Sequence, residues 1–116
     1  MEREEALIRN FREFYDEAVD ASNRGRFTSA YILLFKALIA IADLLIFRKK
    51  GIIPKNHTQR FNILPYVNPE LMAEISSFFE EYTNAYSRVL DKKVFIDLKE
   101  VVDKYGKLAG ALEKTA

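Results

Sequence analysis

The stretch FTSAYILLFKALIAIADLLIFRKKG, residues 27–51, constrains this chain most. Between Tyr31 and Phe47 only Lys36 and Asp43 carry charge. Such a run, closed by Arg48, Lys49, Lys50 and Gly51, predicts a helix over about residues 26–49. Phe27, Ala30, Leu34, Ala37, Ile41, Leu44 and Leu45 line one side of it. Tyr31, Phe35, Leu38, Ala42 and Ile46 cover much of the rest. A helix apolar most of the way round is buried on most sides. One core in a 116-residue chain has little room for all of it, so the surplus face predicts a homodimer. Two charges within the run argue against a membrane span.

Three more long helices follow from periodicity. The first covers about residues 2–22, with Leu7, Phe11, Phe14 and Ala18 on its stripe. Glu2, Glu4 and Glu5 suit the positive end of its dipole. Another starts at Pro69, with Asn68 as N-cap. It runs to about Leu90 on a stripe of Leu71, Ile75, Phe78, Phe79, Tyr82, Tyr86 and Val89. The last covers about residues 92–112, with Phe95, Leu98, Tyr105, Leu108 and Leu112 inward; Gly106, Ala109 and Gly110 allow close backbone approach. The fold class is all-α: an antiparallel up-and-down four-helix bundle, one domain over residues 1–116. The connector 52–67 has room for a short fifth helix around His57–Leu64.

Composition removes many chemistries. There is no cysteine, so a disulfide framework, a thiol nucleophile and a Cys-rich zinc site are excluded. A single histidine makes a metal site unexpected and cannot supply a bundle di-iron centre. No phosphate loop is present, and the reading calls for no metal and no cofactor. The acidic opening MEREEALIR lacks the apolar core of a signal peptide, and the expectation is a cytoplasmic protein.

The net charge of +1 hides a gradient. Residues 1–20 hold seven acidic and three basic side chains; residues 24–60 hold eight basic and one acidic; residues 61–116 hold seven basic and nine acidic. A basic middle is a candidate anion-binding region. Two clusters stand out. In PKNHTQR, Lys55 and Arg60 flank His57 and could hold a phosphate beside it, Arg60 by its fork. Against this, a lone loop histidine usually sits in solvent or bonds to backbone. In SRVLDKK, outside that middle, Arg88, Lys92 and Lys93 bracket a helix junction; lysines oppose the dipole of the helix they open, so these residues are candidates to hold a nucleotide or RNA phosphate. Lys36 and Asp43, seven residues apart, share one side of the apolar helix but cannot pair within it. Each belongs at a rim or in an ion pair with another helix or subunit.

The segment NRGRFTSAYILLFKALIAIADLLIFRKKG, the polar PKNHTQRF connector and Tyr86-Ser87-Arg88 together resemble the HEPN domain, the higher eukaryote and prokaryote nucleotide-binding domain. The resemblance covers roughly residues 7–112. It implies an up-and-down helical bundle, often a homodimer. Nuclease members carry an Arg and, a short gap later, a His. Arg88 matches the Arg by position, but VLDKKVF after it holds no His. The resemblance therefore implies a non-catalytic member that binds a nucleotide, RNA or a partner nucleotidyltransferase. The alternatives are a divergent metal-independent ribonuclease and a purely structural helical subunit.

Overall fold

The computed structural model describes residues 2–113 and is all-α, with no strand among them. Helix α1 spans Glu2–Asn23, α2 Phe27–Lys50, α3 His57–Ile63, α4 Pro69–Asn84 and α5 Lys92–Leu108; a 3-10 turn, Leu64–Tyr66, follows α3. The long helices form the expected up-and-down bundle, and the connector does form a short fifth helix.

Helix α2 is the centre. Its large side chains Tyr31, Leu34, Phe35, Leu38, Ile41, Leu44 and Ile46 are 0–1% exposed. By length and composition α2 could cross a membrane, but 72% of its most apolar stretch is buried inside the bundle. Helix α1 lies along it and buries Phe11, Ala18 and Ala21. From α5, Phe95, Leu98, Val102 and Tyr105 close the core. The α2 perimeter is thus largely covered within one chain, by α1, α4 and α5.

Helix ends follow their local chemistry. Gly51 takes a left-handed conformation (φ 74°), and its N–H bonds to Phe47 O, the backbone state that glycine adopts at no steric cost. Asn68 caps α4 by accepting from Leu71 N at 2.9 Å, with Pro69 in the first turn. Asp91 caps α5 by accepting from Val94 N at 3.1 Å. That carboxylate supplies the negative charge that Lys92 and Lys93 withhold from the first turn. At the other end of α5, Arg48 Nη1 donates to Ala109 O at 2.7 Å and Arg12 Nε to Ala111 O at 3.0 Å, satisfying carbonyls the helix cannot.

Two helices are shorter than their periodicity predicts. Helix α4 stops at Asn84, where the Ala85 N–H turns back onto Glu81, Tyr82 and Thr83 carbonyls. The chain then leaves the helix until Leu90, whose N–H donates to Thr28 Oγ1 at 2.9 Å. Off the helix, Tyr86 is 76% and Val89 93% exposed instead of inward. Helix α5 ends at Leu108, which is 65% exposed, while Ala111 behind the Gly110 turn is buried. Gly106 does allow close approach: a Cβ there would lie 2.7 Å from Leu112 Cδ1 and 3.0 Å from Phe11 Cζ. Gly106→Val should therefore lower stability by about 1–3 kcal/mol through overpacking, measured by urea unfolding. An unchanged midpoint would show that Leu112 yields freely.

Candidate functional site: a basic cleft beside α2

The stripe Lys36, Ile39, Ala40 and Asp43 follows helical spacing along α2 and faces one cleft of about 460 Å³. Leu7, Asn10 and Phe14 of α1 form a second wall by the same spacing; Phe35 and Tyr82 add aromatic surface. Lys55, Asn56, His57 and Arg60 close the cleft from the connector and α3. Lys36 and Asp43 thus share a face, as their spacing requires.

The connector is held by its own side chains. Asn56 Oδ1 accepts from Gln59 N at 2.8 Å, and Gln59 Oε1 accepts from Lys55 N at 2.7 Å. This reciprocal pair resembles a capping box shifted by one residue. It stabilises a helix of seven residues, too short to persist alone.

Asp43 and Arg60 then fasten α3 to α2. Arg60 Nε donates to Asp43 Oδ1 at 2.6 Å and Nη2 to Oδ2 at 3.0 Å. Both side chains are buried, at 9% and 11% exposure. Asp43 accordingly has its partner on another helix, and Lys36 stands exposed at the rim with no ion pair among the described residues. The Arg60 fork expected to grip a phosphate is committed to a carboxylate. What remains of Arg60, its Nη1, lies 2.9 Å from His57 Nδ1.

Guanidinium can only donate, so Nδ1 must accept and the imidazole proton sits on Nε2. His57 is held by a side chain rather than by backbone, with its ring near Phe61 and Phe79 at centroid distances of 5.8 and 6.1 Å. Its pKa is lowered from the ordinary 6.5, first by burial and then by the Arg60 charge, with Lys36 adding and Asp43 opposing. Burial also pushes the Tyr82 hydroxyl up to about 12, aided by Tyr86, so it stays protonated.

Arg88, Lys92 and Lys93 do not join this cleft. Arg88 and Lys92 are exposed with no ion pair among the described residues, and Lys93 pairs with Asp97 at 3.1 Å. Neither Asp91 nor Glu81 pairs with Arg88, although both line the same small depression. The Thr28–Leu90 bond places their turn at the start of α2, fifteen residues before Asp43, about 22 Å by helical rise. Asn10 and Tyr82 are cleft residues that no motif marks. For Asn10 a signal existed, a lone amide on the Leu7–Phe14 stripe.

Two expectations follow. Asp43→Asn leaves Arg60 charged, buried and unmatched, and should cost about 3–5 kcal/mol; the double change Asp43→Leu with Arg60→Met should cost much less. Thermal unfolding of both variants checks the asymmetry. Because His57 is the single histidine, one imidazole signal reports it. NMR should give a midpoint below 6.5 with the proton on Nε2. The folded state disfavours the protonated ring, so the unfolded state binds more protons near pH 6. This group's contribution to stability is complete above pH 6.5 and declines as pH falls through the lowered pKa. A midpoint above 6.5 would mean that Asp43 outweighs Arg60.

No family model, curated protein or solved structure matches this chain.

Proposed function

We propose that this chain is a non-catalytic HEPN-like helical protein whose cleft binds the phosphate of a nucleotide or of RNA. The observation that carries this reading is the charge balance of the cleft. Asp43 cancels Arg60, which leaves Lys36 and Lys55 as uncompensated cations at the mouth of a hollow floored by Phe14, Phe35 and Tyr82. Ligand sites of this kind combine apolar walls with a few convergent polar groups. Lysine serves as a point charge for phosphate, and the aromatic walls offer a surface to a base. The His57 Nε2–H adds a donor.

The same geometry supports binding without cleavage. A general base needs a free lone pair facing its substrate. At His57 the Nδ1 lone pair is occupied by Arg60 and Nε2 holds the proton. Arg88, the match to the family's catalytic Arg, lies outside the cleft, in the turn whose Leu90 N–H is anchored to Thr28. Homodimerisation and a partner nucleotidyltransferase belong to this reading through the family resemblance.

AMP titrated by calorimetry at low ionic strength tests it. Wild type should bind, and Lys36→Ala should weaken binding about tenfold, the scale of one hydrogen bond to a charged group. Lys36 is exposed and unpaired, so melting should not change. Equal affinities for wild type and Lys36→Ala would remove the cleft from the binding site.

A further inference from the structure

Tyr82 belongs to two surroundings at once. On one side it lines the cleft and stacks on Phe35, at a centroid distance of 4.5 Å and an interplanar angle of 21°. On the other its ring meets Tyr86 edge-on at 6.1 Å. Tyr86 is 76% exposed. Two residues later comes Arg88 and then Lys92, both exposed and free of ion pairs among the described residues. The cleft end holds Lys36, Lys55 and His57 beside Phe35 and Tyr82. The bundle therefore carries cations at two places along α2, and between them a ring series that passes from buried to exposed.

We infer that this series is a track for single-stranded nucleic acid, with one nucleotide in the cleft, a base stacked on Tyr86 and a further phosphate against Arg88 and Lys92. The inference rests on the cleft reading and extends it from a mononucleotide to a strand. Proteins that hold single strands combine a cationic path for the backbone with aromatic side chains on which successive bases stack. Lys36, the cleft cation on α2, stands eight residues after Thr28, about 12 Å by helical rise, a short distance for a strand to bridge. A duplex has its bases stacked on one another and offers Tyr86 no free face. The end of α4 makes the track: because the helix stops at Asn84, Tyr86 leaves the core and becomes accessible.

The test compares AMP with a fluorescent hexaadenylate on the full chain, by anisotropy at low salt. The hexamer should bind at least about tenfold more tightly than AMP. Tyr86→Ala should weaken the hexamer about tenfold and leave AMP unchanged, and Tyr86→Phe should restore the hexamer. Arg88→Ala should lower the slope of log affinity against log salt by about 0.7 for the hexamer. Circular dichroism of each variant should match wild type, since both side chains are exposed. A hexamer no tighter than AMP, or indifferent to Tyr86→Ala, overturns the track and leaves the cleft standing. Failure of both ligands to bind overturns the track and the cleft together.

Discussion

The bidentate pair between Asp43 and Arg60 joins the two halves of this molecule's organisation. Helix α2 could be a featureless apolar rod; one carboxylate in its third turn from the end gives it an address. The seven-residue α3 has little to hold it in place by burial alone. The pair fixes its distance and its rotation relative to α2. Everything the connector presents to the cleft, from Lys55 through His57, follows from that attachment. The energetic logic is one of specificity. A buried pair is rarely more stable than a well-packed apolar substitute, but removing one partner is costly. Geometry, more than net stability, is what the interaction supplies.

Much of the bundle was legible in the sequence because the signals were redundant. The apolar run, the basic last turn and Gly51 all agreed on α2. Asn68 with Pro69 fixed the start of α4, and Gly106 was readable as a point of close approach. The end of α4 was not legible. Tyr86 and Val89 continue the apolar stripe without a break, so periodicity carries the helix to Leu90. Its last turn tightens at Ala85, and the Leu90 N–H goes on to the Thr28 hydroxyl, a contact between residues far apart in the chain. Apolar perimeter was equally ambiguous. The surplus on α2 implied a second copy, whereas α1, α4 and α5 cover most of it from within.

The site was half legible for a related reason. Lys36 and Asp43 could be placed on one face by spacing, and His57 with Lys55 and Arg60 could be marked by composition. Which of the cations was free could not be read. Spacing says only that Asp43 belongs at a rim or needs a partner off its own helix, and does not name that partner. The choice is made by the connector. Its cap, built from Asn56 and Gln59, starts α3 at His57. Arg60 then falls three residues later on the turn that faces α2.

That choice has a chemical consequence. Arg60 is the one connector cation whose fork matches a carboxylate. Once it is spent on Asp43, the strongest phosphate-gripping group in the connector is neutralised, and two flexible lysines remain. The third guanidinium nitrogen is directed at His57, which fixes the imidazole as a donor and holds its pKa down. That leaves the cleft with two exposed lysines and one imidazole N–H donor. Had the Arg60 fork been free and His57 able to accept a proton, the same residues would have formed an acid–base pair beside a phosphate clamp. Asp43, a single carboxylate on the central helix, separates those two chemistries.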